Sequence, residues 1–177
     1  MGIGTPAYRL ILDPVDGSDN WSRRLPLSAL SCAVLPVDVP LKPESVIASI
    51  VGLLDQEIPL VAQQASGAWQ GEAQLQTSDV YCLTDAMISI ELNHHAPALN
   101  LTRMMADARG VRSYGSGACA ITLVASGKTD AHIDVRARLT AESYLAAAHL
   151  LLEAGGCITG LDGAPLPAAN SLTDGIS

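Results

Sequence analysis

Short apolar runs punctuated by Gly, Pro and acidic turns fill the first half of the chain. YRLIL at 8–12 predicts a buried strand and LSALSCAVL at 27–35 a second, while Asp38, Pro40 and Pro43 break the segment VDVPLKPES between 37 and 45. VIASIVGLL (46–54) and PLVAQ (59–63) predict two more strands, joined by the polar link Asp55–Glu57, and SGAWQGEAQLQTS (66–78) predicts a Gly-punctuated hairpin. AMISIEL (86–92) alternates apolar and polar positions, again as a strand does. Beyond Pro97 the period changes. Leu101, Met104, Met105 and Ala108 recur at helical spacing and predict a helix through Arg109. Ser116–Ser126 predicts a small-residue helix closed by Gly127, and HIDVR (132–136) a strand. Thr140 caps a helix that runs to about Ala154, with Leu145, Ala148, His149 and Leu152 on one stripe and Gly155–Gly156 as its stop. Strands and helices are mixed without internal repeats, which places the chain in the α/β (or α+β) class.

Composition narrows the function classes. The 177 residues are 49% apolar and 16% charged, well under the roughly 25% charge of an average soluble domain, so the chain can fill one large core and is not intrinsically disordered. Phe is absent and aromatics make up 3%, so that core is aliphatic. A net charge of −8 argues against a nucleic-acid partner, which requires a basic face. No apolar run approaches the ~20 residues of a membrane span, and no secretory signal is visible. Cys32, Cys82, Cys119 and Cys157 each sit in an apolar run without metal-site spacing, which predicts buried free thiols in a reducing, cytoplasmic setting.

The segment with the clearest chemistry is Asp13-Pro14-Val15-Asp16-Gly17-Ser18-Asp19-Asn20-Trp21. An apolar strand delivers two carboxylates three residues apart into a turn. Asp13, Asp16 and the Val15 carbonyl are hard oxygen donors of the kind Mg²⁺ or Ca²⁺ takes. The N–H groups of Gly17 and Ser18 lie beside them, suited to a phosphate oxygen, and the Ser18 hydroxyl to orienting a water. A bare D-x-x-D-G reads more readily as a solvated turn; the full string is far more specific.

That string resembles the metal signature of the inositol monophosphatase family, D-P-[Ile/Leu/Val]-D-G-[Thr/Ser]-x-N-[aromatic], at every defined position. VRSYGSGACAITLVASGKTDAHIDV is similar to the family's middle segment, and the helix ending Glu153-Ala154-Gly155-Gly156 to its second signature. GAWQGEAQLQTS resembles the family's Gly-Ala-aromatic hairpin. The resemblance implies a layered α-β-α-β-α sandwich acting as a Mg²⁺-dependent phosphomonoesterase on a small polyol or sugar phosphate such as inositol monophosphate, commonly as a homodimer. Carried over, Asp13 bridges metals, the Val15 carbonyl and the Asp16 carboxylate hold one each, Gly17 and Ser18 contact phosphate, and Ser18 helps to position the attacking water. Gly115, Ser116 and Gly117 then line the substrate pocket at a helix N-terminus. Asp134 holds a hydroxyl of the polyol, a role weighed evenly against a solvated strand end. Arg136 and Arg138 follow with like-facing side chains, toward a second phosphate or toward solvent.

Two departures matter. The family's second signature places an Asp ten residues before the Glu of E-A-G-G; here that position is Ser143, preceded by Glu142. Relatives also carry an acidic pair upstream of the first signature, whereas MGIGTPAYRLIL contains no acid. The expectation is therefore one domain over 1–177, with a first sheet region and metal loop at 1–95 and a second α/β region at 96–177, lacking the N-terminal helices and the final strand and helix. The metal site is incomplete, holding one Mg²⁺ rather than two or three. The alternative is a weak or inactive relative that binds a phosphate ligand or a protein partner. His94–His95 is a poor chelate, since neighbours in sequence point apart; Trp21 and Trp69 read as packing residues, and His149 as half-buried.

Overall fold

In the computed structural model, which describes residues 4–93, 95–172 and 175–176, each predicted strand and helix forms. The strands β1 (Tyr8–Asp16), β2 (Ala29–Pro36), β3 (Ala48–Leu53), β4 (Leu60–Gln63), β5 (Ala68–Gln70) and β6 (Ala73–Gln74) pair in chain order as an antiparallel meander. Between β1 and β2 lies the short helix α1 (Ser18–Ser22). The chain then crosses to β7 (Met87–Glu91), which is flanked by β8 (Gly110–Arg112) and β9 (Ala131–Asp134) in a parallel sheet. Because β7 already belongs to this second sheet, the crossing comes before the expected 95/96 division. Helix α2 (Leu99–Asp107) links β7 to β8, and α3 (Gly117–Ala125) links β8 to β9. Finally β10 (Leu139–Thr140), α4 (Ala141–Glu153) and β11 (Gly175–Ile176) follow, with β10 and β11 paired.

Helices α3 and α4 fill the space between the two sheets. Ala29, Ser31, Ala33, Ser49 and Ala62 on the inner face of the first sheet are buried, and so are Ala146, Ala147 and Ala148 of α4. Small residues on both sides let the helix lie close, and the hydroxyl of Ser31 donates to the Glu142 carbonyl at 3.2 Å. α4 is consequently buried on nearly all sides, Tyr144 through Leu151 included, rather than along the single stripe predicted: a helix between a sheet and another helix has no solvent face. On the second sheet, Ile88 and Ile90 pack with Leu101, Met104 and Met105 of α2. Strand alternation sends Ser89 and Glu91 to the opposite face, where the segment leading into α3 lies.

The layers are thus sheet, α3/α4, sheet, α2. No helix covers the outer face of the first sheet among the described residues. A row Leu12–Cys32–Ile50–Val61–Trp69 crosses its five main strands in register there, and Leu10 on the same face is 66% exposed. Three expectations are corrected here. Trp69 and Trp21 are exposed, not packed. Only Cys119 is a buried thiol; Cys32 is half-buried, and Cys82 and Cys157 are exposed. His149 is buried, its Nδ1 at 2.9 Å from the Ser49 hydroxyl. No described helix is long and apolar enough to cross a membrane. His94 lies outside the described residues.

Candidate metal and phosphate site

The acidic loop is not a turn but a continuation of β1. Asp13 pairs with Ser31 and Asp16 with Ala29, so Pro14 and Val15 face the single residue Leu30 across the ladder. This is a β-bulge. Its consequence is geometric: in a regular strand residues three apart point to opposite faces, and the extra residue returns Asp16 to the inner face that Asp13 already occupies. Pro14 is tolerated because β1 is the edge strand of its sheet, where a missing N–H leaves no ladder bond unmade. The Val15 N–H folds back onto Asp13 Oδ1 at 3.1 Å.

After the bulge Gly17 turns the chain with φ 82°. A Cβ there would lie 2.8 Å from the Leu27 carbonyl oxygen and 2.9 Å from Ser116 Cβ, so the turn is built for glycine twice over. Asn20, on α1, then pins the loop: its Nδ2 donates to the Leu27 carbonyl at 2.8 Å and to the Tyr114 carbonyl at 2.6 Å. Gly115 packs against that amide, with φ 68°. Ser18 is exposed at the head of α1.

Two more segments converge on this loop. At the start of α3, Asp16 Oδ2 accepts the Ala118 N–H at 2.8 Å and the Ser116 hydroxyl, which in turn caps the helix by accepting from Cys119 N at 3.1 Å. Asp16 therefore occupies the positive end of α3 itself. Burial raises its pKa above the ordinary carboxylate value, against the opposing hydrogen bonds from Ser116 and Ala118. At the start of α4, the Ser143 hydroxyl donates to Asp13 Oδ2 at 3.0 Å. Thr140 is the N-cap residue, but its hydroxyl meets Ser143 Oγ at 3.2 Å instead of a backbone N–H. A neutral hydroxyl thus stands on Asp13.

The C-terminal ends of the parallel strands supply two acids side by side, Glu91 and Asp134, which are register partners. Glu91 is fully buried and was not singled out from the sequence. Its Oε1 accepts the N–H groups of Tyr114 and Gly115, both at 2.7 Å, and its Oε2 the Ser113 hydroxyl at 3.2 Å. The only signal for it was a lone acid ending an apolar strand. The Gly115–Gly117 turn is thereby held by two carboxylates, Glu91 behind it and Asp16 in front. Asp134 is neither a solvated strand end nor a free acceptor. Arg136 turns back onto it, with its backbone N–H and Nε on Oδ1 (2.9 and 3.0 Å) and its Nε and Nη2 on Oδ2 (3.2 and 2.5 Å). The like-facing arginine pair does not form: β9 ends at Asp134, Ala137 takes φ 53°, and Arg138 is exposed.

Among the described residues no three His, Cys, Asp or Glu side chains are grouped to hold a metal. Asp13, Asp16 and the Val15 carbonyl are hard oxygen donors of the kind Mg²⁺ takes; no further His, Cys, Asp or Glu is grouped with them among the described residues.

Comparison with known proteins decides the ancestry of this arrangement. The profile of the inositol monophosphatase family matches residues 2–174. The chain belongs to the inositol monophosphatase family. Curated members similar to it include inositol-1-monophosphatases of Mesorhizobium japonicum, 28% identical over 88% of this chain and 58% of that protein, and of Bacillus subtilis, 29% identical over 88% and 57%. The crystal structure of inositol monophosphatase-II from Staphylococcus aureus superposes with a TM-score of 0.77 at 25% identity, covering 90% of this chain and 60% of that one. The chain spans less than two thirds of the length of these relatives.

Proposed function

We propose that this inositol monophosphatase family member is a Mg²⁺-dependent phosphomonoesterase acting on a small polyol or sugar phosphate of the inositol monophosphate class. The observation that carries the reading is the bulge in β1, which turns Asp13 and Asp16 to one face beside the Gly17 turn and the head of α3. Asp13, the Val15 carbonyl and Asp16 would hold the cation. Bound there, Mg²⁺ supplies charge neutralisation at the phosphoryl oxygens and makes water a better nucleophile. The chain's own residues do the rest. The N–H groups of Gly17 and Ser18 bind phosphate oxygens, the Ser18 hydroxyl orients the attacking water, and Gly115, Ser116 and Gly117 wall the pocket. Asp16 keeps its position through Ser116 and Ala118, and Asn20 fixes the loop against the wall. The same reading includes a cytoplasmic homodimer.

Ser143 favours a second reading. Its hydroxyl stands on Asp13 at the position where the family signature has an Asp, and a neutral group there leaves a cation with fewer charges to balance it. On this reading the protein binds a phosphate ligand or a protein partner with weak or no turnover. Release of phosphate from inositol 1-phosphate with Mg²⁺ in excess separates the two. The first reading expects release that the double change Asp13→Asn, Asp16→Asn abolishes; release no greater than in that variant overturns it and leaves the second.

A further inference from the structure

We propose that the outer face of the first sheet is a self-association surface, on which a second copy of this chain packs sheet on sheet. It rests on the homodimer of the proposed reading, to which it gives an interface, and not on the phosphatase activity. A sheet with water on one side alternates apolar and polar positions, whereas strands buried on both faces are apolar throughout. Here the outward positions follow the second pattern. The row Leu12–Cys32–Ile50–Val61–Trp69 crosses β1 to β5, and the next row along, Leu10–Val34–Ala48–Gln63, crosses β1 to β4. Neither row holds an Asp, Glu, Lys or Arg, and the one amide, Gln63, ends its row. Exposures of 53% at Leu12, 40% at Val61 and 37% at Ile50 leave the patch open, and large contiguous apolar patches mark interaction sites. Charge selects the occupant. The chain carries a net charge of −8, and a two-fold contact sets a patch against itself, so a charged face would meet its own charge in the second copy. These two rows meet none. The area is sufficient as well. Five strands about 4.8 Å apart, each contributing about five residues of about 3.4 Å, outline about 400 Å². Side chains raise the accessible area above that outline, so two such faces together bury on the order of 1,000 Å², the size at which a specific interface begins. Trp69 Nε1 already donates to the Ser66 carbonyl at 3.0 Å, so its ring can be covered without leaving a buried donor unpaired. The candidate site stays open in such a pair, since Asp13 and Asp16 lie on the inner face of β1.

Sedimentation equilibrium of the full chain, from about 1 to about 200 µM, tests the surface. A monomer–dimer equilibrium with a Kd in the micromolar range is expected for an interface of this area. Ile50 lies on the central strand of the five, so Ile50→Glu is expected to raise the Kd about a hundredfold by setting an unpaired carboxylate in the contact. Leu99→Glu, on α2 at a position 67% exposed, is expected to leave the Kd unchanged. With Trp21→Phe, Trp69 becomes the single tryptophan, and its emission should move to shorter wavelength as the dimer forms. A chain that stays monomeric at the top of the range overturns the surface and the homodimer together, while phosphate release tests the phosphatase reading separately. A dimer that Ile50→Glu does not weaken, or in which Trp69 emission does not change with concentration, overturns this face and keeps the homodimer. Growth past the dimer without limit overturns the two-fold contact. Should Ile50→Glu not fold, as a melting curve shows at once, Val61→Ser decides: it adds no charge and is expected to raise the Kd about tenfold, and an unchanged Kd overturns the assignment.

Discussion

Glu91 shows how much of the candidate site depends on a residue remote from the Asp13–Ser18 loop. Replacing it by Ala removes the acceptor of two backbone N–H groups at 2.7 Å and of the Ser113 hydroxyl, in a place with no solvent to substitute because Glu91 is 0% exposed. A hydrogen bond to a charged partner is worth about 1.5–3 kcal/mol net, and each donor left buried and unpaired forfeits a similar amount. Two such donors put the loss for Glu91→Ala at about 3–5 kcal/mol. For a domain of this size that is a fall in Tm of about 6–20 °C. Glu91→Gln keeps a carbonyl oxygen for the two N–H groups and loses only the charge, so about 1–2 kcal/mol is expected. Urea unfolding followed by circular dichroism measures both. Phosphate affinity should fall in the same order, since the Gly115–Ser116 turn that positions Asp16 loses its rear anchor. A Glu91→Ala loss under about 1 kcal/mol, or a Gln variant as damaged as the Ala one, refutes the assignment of Glu91 as the acceptor that holds this turn.

Gly17→Ala forces a side chain into a left-handed turn and onto the Leu27 carbonyl oxygen and Ser116; a loss of about 2–4 kcal/mol by thermal melt is expected, and a neutral result contradicts the turn. Burial holds His132 and His149 below the ordinary 6.5, with Asp134 and Glu153 respectively pulling back. As pH falls below 6.5 the unfolded chain takes protons first, so stability drops toward acid. Asp16, raised by burial, works the opposite way, so the comparison of native protein with His149→Gln isolates the histidine: the variant should show a shallower acid loss in urea midpoints, and an unchanged slope is the adverse result. Ser143→Asp places a second carboxylate next to Asp13. It should lower Tm in EDTA and raise the stabilisation by saturating Mg²⁺ over that of the native chain by about 5 °C; equal Mg²⁺ shifts argue that position 143 does not face the cation.

Most of the architecture could be read from residue patterns, because the strands of the first sheet have one buried face and the helices after Pro97 keep a helical period. What escaped was set by contacts distant in sequence. Pro14 and Gly17 look like strand breakers, yet at an edge strand Pro14 joins a bulge and β1 runs on to Asp16. Periodicity assigned α4 one apolar stripe, but Ala146, Ala147, Leu150 and Leu151 off that stripe are buried as well, because the other faces of the helix also meet protein. In the site, the loop and Ser143 were singled out by their resemblance to the family's two signatures, and the Ser143 hydroxyl donates to Asp13 Oδ2. Glu91 was not, since nothing in AMISIE tells which loop its carboxylate holds. Nor was the pairing of Asp134 with Arg136: residues two apart on a strand share a face without touching, and here the strand ends between them so that the arginine can fold back.

On the proposed function, the bulged loop gathers Asp13, Asp16 and the Val15 carbonyl around one divalent cation beside a phosphate. Crystals grown with Mn²⁺ and phosphate test it through anomalous scattering. A single Mn²⁺ peak contacting Asp13, Asp16 and the Val15 carbonyl is expected, with phosphate against Gly17 and Ser18. No peak at Asp13, or a peak held by other residues, contradicts it.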